Sequence, residues 1–144
     1  MTDFRRVTAD FFVAPQLSPV DIARAADAGV RMIVNNRPDR EEPGQPSGAE
    51  IKAAAEAAGL AYRALPFTGP PPPGTVAETA LLLEEAPGPV LAYCRSGRRS
   101  IMAWAMAQAL AGARRPNDLI ALAGEAGYDL EGTRGALEGL SPKT

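Results

Sequence analysis

The residues that could do chemistry are concentrated in residues 93–100, which read Tyr-Cys-Arg-Ser-Gly-Arg-Arg-Ser. This segment holds the one cysteine of the 144-residue chain, together with three arginines. A thiol among arginines favours nucleophilic attack on an anion, because the thiolate is the reactive form and nearby cations stabilise it. The candidate site residues of this cysteine loop are Cys94, Arg95, Ser96, Gly97, Arg98, Arg99 and Ser100.

The pattern on either side places the cysteine loop between a strand and a helix. Residues 89–93 are a compact apolar run, and residues 101–111 are an apolar helical stretch. A helix start offers unpaired amide hydrogens and the positive end of the helix dipole, so a thiol there ionises more easily. Gly97 permits the positive φ that an anion-binding turn requires.

These features predict a role for each residue of the loop. We expect Cys94 to be the nucleophile, Arg99 to bind an oxyanion through two hydrogen bonds, and Ser100 to offer its hydroxyl to the thiolate. The remaining loop residues are predicted to hold the substrate anion; they are Arg95, Ser96, Gly97 and Arg98.

A structural interpretation of the same residues is also open. A lone cysteine that ends a buried strand is often a small apolar core residue, and arginines at a helix start are often solvated. However, three arginines beside a helix N-terminus are unfavourable unless an anion or a thiolate is present. This cost favours the chemical interpretation.

Composition excludes several classes of site. The chain has no histidine, which excludes a Ser-His-Asp triad, a Cys-His dyad and histidine-ligated zinc or haem, and one cysteine excludes a multi-cysteine metal site. We therefore predict no metal and no cofactor. A net charge of −2 argues against nucleic acid as a partner. Residues 1–14 do not resemble a signal peptide and the longest apolar stretch, 101–113, is too short to span a bilayer, so we expect a soluble, cytoplasmic protein without a membrane partner.

Short apolar runs alternate with longer alanine-rich helical segments along the whole chain. Strands are predicted over residues 10–14, 30–35, 60–65 and 89–93. Helices are predicted over residues 19–28, 48–58, 76–86, 101–111, 117–126 and 131–139. This order predicts a single α/β domain over residues 1–144, with a largely parallel sheet and helices on both faces.

Three loops should meet at one site, since ligands bind beyond the carboxyl ends of parallel strands. They are residues 36–46, the proline-rich residues 67–74, which we expect to be extended, and the cysteine loop. In the first of these, Arg37 and Asp39 are predicted either to bind the anionic substrate or to brace the loop as a pair. The second interpretation is favoured over a catalytic role for the two residues.

Three stretches resemble the phosphatase-like domain of β-lactamase-hydrolase-like proteins: residues 15–19, residues 35–46 and the cysteine loop. The resemblance covers residues 10–112. It implies a fold like that of the dual-specificity phosphatases and an activity described in that family as sulfur transfer or phosphate ester hydrolysis. The spacing Cys-x4-Arg-Ser also resembles single-domain rhodanese sulfurtransferases, whereas cysteine-dependent phosphatases have Cys-x5-Arg, usually with a histidine before the cysteine.

The two reactions differ in their need for an acid. Hydrolysis of a phosphate ester usually requires a protonated group near the leaving oxygen. In dual-specificity phosphatases an aspartate supplies it from the loop that corresponds to residues 67–74, which contain no carboxylate here. Asp39, Glu41 or Glu42 could replace it, so phosphatase activity through a phosphocysteine stays open as an alternative.

We favour a sulfurtransferase that takes sulfane sulfur from thiosulfate or a persulfide onto Cys94. The acceptor must be an external thiol such as glutathione, because the chain has no second cysteine. A third alternative is a non-catalytic anion binder or persulfide sensor.

Overall fold

Strands and helices alternate along the chain after an initial pair of strands. A computed structural model describes residues 2–142. The strands are β1 (Arg5–Thr8), β2 (Phe11–Ala14), β3 (Met32–Asn35), β4 (Ala61–Ala64) and β5 (Val90–Tyr93). The helices are α1 (Pro19–Asp27), α2 (Gly48–Ala57), α3 (Pro73–Glu85), α4 (Arg98–Leu110), α5 (Pro116–Glu125) and α6 (Arg134–Leu140), with a 3-10 turn at Glu131–Thr133.

The five strands form one sheet in the order β1-β2-β5-β3-β4. β1 is antiparallel to β2, and the other neighbours are parallel. The register aligns Ala14, Tyr93 and Asn35 at the carboxyl end of the three central strands. The chain therefore leaves β2, β5 and β3 at the same edge, which confirms the predicted meeting point of loops.

Helices cover both faces of the sheet, as the alternation predicted. Successive strand residues point to opposite faces, and they divide between two buried clusters. Met32 and Val34 pack with Trp104 and the helices that follow β5, and Trp104 stacks on Phe11 with ring centroids 5.3 Å apart. Ile33 packs in the second cluster with residues of α1 and α2.

Most predicted elements are present, with three differences. β1 was not predicted; two of its four residues are exposed arginines, so it lacks a strand-like apolar pattern. α3 begins at Pro73 rather than at Val76, because proline is well suited to the first turn of a helix, and it has no side-chain cap, because its N-cap residue is Pro72. The segment predicted as a helix over residues 131–139 begins as a 3-10 turn, and its α-helical part packs Leu137 into the core.

Candidate functional site

Cys94 lies at the end of the central strand β5. Its amide donates to the carbonyl of Ala14 at 3.4 Å, which extends the β2–β5 pairing by one residue. The side chain is completely buried, and its Sγ accepts a hydrogen bond from the amide of Gly97 at 3.1 Å. The cysteine is therefore oriented toward the start of α4, where amide groups lack partners within the helix.

Gly97 has the backbone conformation that the turn needs. It is the N-cap of α4 with φ of 93° and ψ of −14°. This left-handed conformation is costly for residues with a Cβ, which confirms the prediction for this glycine. A Cβ at this position would also overlap the hydroxyl of Tyr128.

Arg99 is the arginine of the loop that lies beside Cys94. Its guanidinium donates to both oxygens of Glu41, from Nη1 to Oε2 at 2.9 Å and from Nη2 to Oε1 at 2.8 Å, and also to the carbonyl of Phe67 at 3.0 Å. The hydrogen bonds with Glu41 raise the pKa of Arg99, burial partly opposes them, and the adjacent Cys94 raises it further. The two-point binding predicted for an oxyanion is thus used here by a carboxylate.

Glu41 joins two arginines of the site. Besides Arg99, it accepts from Nε of Arg37 at 2.8 Å. The hydrogen bond from Arg99 is the main cause that lowers the pKa of Glu41 to about 2; burial opposes this, and Arg37 contributes to it. Glu41 is therefore ionised at neutral pH and has no proton to give.

Arg37 is buried, with 4% of its surface exposed, and it braces the loop over residues 36–46. Its amide donates to Oδ1 of Asn35 at 2.8 Å, and its Nη1 donates to Oε1 of Gln16 at 3.1 Å. The prediction that Arg37 pairs with Asp39 is wrong. The two acids that pair with Arg37 are Glu41 and Glu42, which the turn after Pro38 brings back to the guanidinium.

Asp39 instead stabilises the start of α2. Its Oδ1 accepts from the amide of Gly48 at 2.8 Å, a favourable position for a carboxylate because of the helix dipole. Arg37 and Asp39 also border a surface cavity of about 410 Å³ that includes Lys52 and Arg63. Any substrate contact of Asp39 would be made at this neighbouring cavity.

The other predicted loop residues are dispersed around Cys94. Arg95 is exposed and pairs with Glu42. Arg98 is exposed, and its Nη1 donates to the carbonyl of Asp129 at 3.1 Å, so it is directed to the C-terminal segment. Ser96 is exposed, and its Oγ accepts from the amide of Arg98 at 3.3 Å.

Ser100 does not make the contact predicted for it. The residue is buried, and its Oγ has no hydrogen-bond partner among the described residues, so the expected bond to Cys94 is not formed in this structure. A buried hydroxyl without a partner costs free energy.

Sequence reasoning missed two contacts of this site. Glu41 was considered as an acid, not as the ligand of Arg99, and these residues are 58 positions apart. Tyr128, whose hydroxyl donates to the carbonyl of Ser96 at 2.8 Å, gave no signal because it lies 32 positions away in the connection between the last two predicted helices.

Two further observations concern residues 2–142. No group of three or more histidine, cysteine, aspartate or glutamate residues in this range is arranged to hold a metal ion. None of the helices in this range has the length and apolar character needed to cross a membrane.

Comparison with known proteins finds relatives in one family. The family model of the beta-lactamase hydrolase-like protein, phosphatase-like domain, matches residues 3–111. A beta-lactamase hydrolase-like protein from Agrobacterium fabrum (strain C58 / ATCC 33970) is 34% identical over 130 residues, which are 87% of this chain and 29% of that protein. The chain therefore spans less than a third of the length of this relative.

Solved structures have the same fold. A protein from Neisseria meningitidis z2491, described as a candidate phosphatase, superposes with a TM-score of 0.81 at 34% identity and covers 94% of this chain and 96% of that one. PTPMT1 in complex with PI(5)P superposes with a TM-score of 0.72 at 16% identity and covers 95% and 93%. The chain has the phosphatase-like fold of these proteins, with its cysteine at the end of the central strand.

Proposed function

Because this chain belongs to the phosphatase-like domain family of beta-lactamase hydrolase-like proteins, we propose that its fold serves a group transfer through Cys94, and that the transferred group is sulfane sulfur. The donor is thiosulfate or a persulfide, and the acceptor is an external thiol such as glutathione. A free thiol nucleophile fits a reducing compartment, so we expect the reaction in the cytoplasm.

The state of the nearby acids carries this proposal. Glu41 is ionised and bound by two arginines, and Glu42 pairs with Arg95. Asp39 accepts from the Gly48 amide. Hydrolysis of an alkyl phosphate needs a protonated group at the leaving oxygen, whereas sulfite leaves thiosulfate as an anion without protonation. The site therefore suits a reaction that needs no acid.

The reaction proceeds in two balanced steps. The Cys94 thiolate attacks the outer sulfur of thiosulfate, a sulfur–sulfur bond forms, and the original sulfur–sulfur bond breaks with its electron pair leaving on sulfite. The thiolate of glutathione then attacks the outer sulfur of the Cys94 persulfide. This releases glutathione persulfide and restores the Cys94 thiolate.

Arg99 and Glu41 control entry of the anion. Both outer nitrogens of Arg99 are bound by Glu41, so thiosulfate must take the place of this carboxylate to reach the buried sulfur. The sulfonate end of thiosulfate offers the same two-point geometry to a guanidinium. The amide of Gly97, which already donates to Sγ, stabilises the thiolate before attack and as it departs in the second step.

Phosphate ester hydrolysis is the second candidate, and membership of a phosphatase-like family favours it. PTPMT1, which shares the fold, was solved in complex with PI(5)P. In this chain such a reaction would form a phosphocysteine at Cys94. With Glu41 ionised, we expect it to be limited to esters whose leaving group needs no proton, such as p-nitrophenyl phosphate.

The test compares the two reactions in one preparation. Sulfite release is measured with thiosulfate and glutathione, and phosphate release is measured with p-nitrophenyl phosphate. Cys94→Ser, with its fold checked by circular dichroism, is expected to abolish both, because no other thiol is available. The control is Glu56→Gln, an exposed position on α2 outside the site, whose change should leave both rates unaltered.

Three outcomes decide the assignment. Continuous sulfite release at a rate above phosphate release supports sulfur transfer. Phosphate release far above thiosulfate turnover assigns the phosphatase. Uptake of one sulfur per chain without turnover contradicts an enzyme and identifies a persulfide sensor.

A further inference from the structure

The peptide bond between Ser96 and Gly97 is held from both of its sides. The Gly97 amide donates to Sγ of Cys94 at 3.1 Å. The Ser96 carbonyl accepts from the hydroxyl of Tyr128 at 2.8 Å. In a trans peptide unit the carbonyl oxygen and the amide hydrogen point in opposite directions, so one contact fixes the direction of the other.

This peptide is one that could rotate. Gly97 has no Cβ and occupies positive and negative φ with little difference in energy. Rotation of the peptide plane would turn the amide hydrogen away from Cys94 and the carbonyl oxygen toward it, which would repel a thiolate. The hydrogen bond from Tyr128 stabilises the orientation in which the amide faces the sulfur.

Tyr128 is itself firmly placed. It is 8% exposed, and its amide donates to the carbonyl of Ala123 at 2.9 Å. The guanidinium of Arg5 lies 5.2 Å from the centre of its ring and donates to the carbonyl of Ala126 at 3.1 Å. Burial raises the pKa of Tyr128, so its hydroxyl keeps its proton and remains a donor at neutral pH.

A second contact connects the same C-terminal segment with the cysteine loop. Nη1 of Arg98 donates to the carbonyl of Asp129 at 3.1 Å, one residue after Tyr128. The segment that follows α5 therefore contacts the loop at Ser96 and at Arg98. Both contacts come from a part of the chain beyond residues 3–111, which are the residues matched by the family model.

We propose that Tyr128 is a positioning residue that fixes the Ser96–Gly97 peptide with its amide toward the Cys94 sulfur. The inference rests on the proposed role of Cys94 as a nucleophile. Tyr128 does not touch the reacting sulfur. It acts through the peptide plane, which keeps the Gly97 amide in place as a donor to the Cys94 sulfur.

The test is Tyr128→Phe, which removes one oxygen and keeps the ring. The rate of alkylation by iodoacetamide is followed across pH; it reports on Cys94 alone, because the chain has one cysteine. We expect the rate at neutral pH to fall about two- to tenfold, the effect of one hydrogen bond, and the midpoint of the pH profile to rise. The profile is compared rather than the absolute rate, because access to the buried sulfur is common to all variants.

Tyr62→Phe is the matched control. Its hydroxyl accepts from Nδ2 of Asn35 at 3.0 Å and lies near the side chain of Tyr93, but it forms no hydrogen bond with the Ser96–Gly97 peptide. This variant is expected to keep the wild-type profile. Denaturant unfolding measures the stability of both variants. If Tyr128 had only a structural role, Tyr128→Phe would lose stability but keep the wild-type pH profile.

A wild-type profile in folded Tyr128→Phe overturns the inference. If that variant does not fold, Arg5→Gln, which removes the support of the Tyr128 ring, is expected to give a smaller shift in the same direction, and no shift there also overturns it. Neither the alkylation profile nor the unfolding measurement requires catalytic turnover. A chain that alkylates as expected but transfers neither sulfur nor phosphate would contradict the proposed reaction and leave the positioning role supported.

Discussion

The carboxylate of Glu41 and the guanidinium of Arg99 form a two-point ion pair, with N–O distances of 2.8 and 2.9 Å, between the loop over residues 36–46 and the start of α4. The pair occupies the donors of Arg99 that would bind a tetrahedral anion. In the proposed reaction, a substrate anion would therefore compete with a side chain of the protein itself for Arg99.

Replacement of the competing carboxylate should strengthen anion binding. In Glu41→Gln the neutral amide offers one acceptor instead of two charged ones. The free energy needed to release Arg99 should therefore fall by about 1 kcal/mol. We expect sulfate to protect Cys94 from alkylation at a concentration roughly fivefold lower than in the wild type. Glu56→Gln, an exposed position on α2, is the control and should change nothing. Weaker sulfate protection in Glu41→Gln would show that Glu41 supports the anion site instead of competing for it.

Acid should weaken the fold through the same ion pair. The pKa of Glu41 falls from 4.5 to about 2 on folding, mainly through the hydrogen bond from Arg99. A lowered pKa in the folded state adds stability that is complete above pH 4.5 and is lost as the pH falls toward 2. Wild type should therefore be more stable than Glu41→Gln at pH 7, and the difference should shrink over this range. Urea unfolding at several pH values measures it, and a difference that is constant with pH would contradict the assignment.

Ser100→Ala should separate stability from activity. The buried Oγ of Ser100 has no partner among the described residues, so its removal is expected to raise the free energy of unfolding by about 1 kcal/mol. Transfer of sulfur should change little, because the Ser100 hydroxyl makes no hydrogen bond to Cys94 in the structure. Ser141→Ala is the contrasting control, since that Oγ donates to the carbonyl of Leu137 at 2.8 Å and its loss should not stabilise. A less stable Ser100→Ala would mean that its hydroxyl is satisfied.

Gly97→Ala should be more damaging than the same change at another glycine with positive φ. Gly29 has φ of 99° and open space around a Cβ, whereas a Cβ at Gly97 would overlap the Tyr128 hydroxyl. Gly29→Ala measures the backbone cost alone, about 1–2 kcal/mol. We expect Gly97→Ala to lose at least about 1 kcal/mol more, because Tyr128 must shift in a packed site. Equal losses in urea unfolding would show that Tyr128 does not hold its place against the loop.

Features that depend on residues close together in the chain could be predicted from the amino-acid sequence. Apolar runs separated by helical segments predicted the four parallel strands, and a cysteine between an apolar strand and a helix predicted where the loop would lie. The positive φ of Gly97 was also local information. β1 was missed because its two exposed arginines carry no strand pattern, and pairing with β2 is what makes it a strand.

Contacts between residues far apart in the chain depend on the folded packing and were not predicted. Arg37 pairs with Glu41 and Glu42 rather than with Asp39, Arg99 takes a carboxylate 58 positions away, and Tyr128 reaches the cysteine loop from the C-terminal segment. A charged side chain could pair with any of several partners of suitable chemistry. The free energy of each possible pair depends on burial and distance in the folded protein. Residue types and spacing carry the chemistry of Cys94; the folded packing sets the groups that compete for it and orient it.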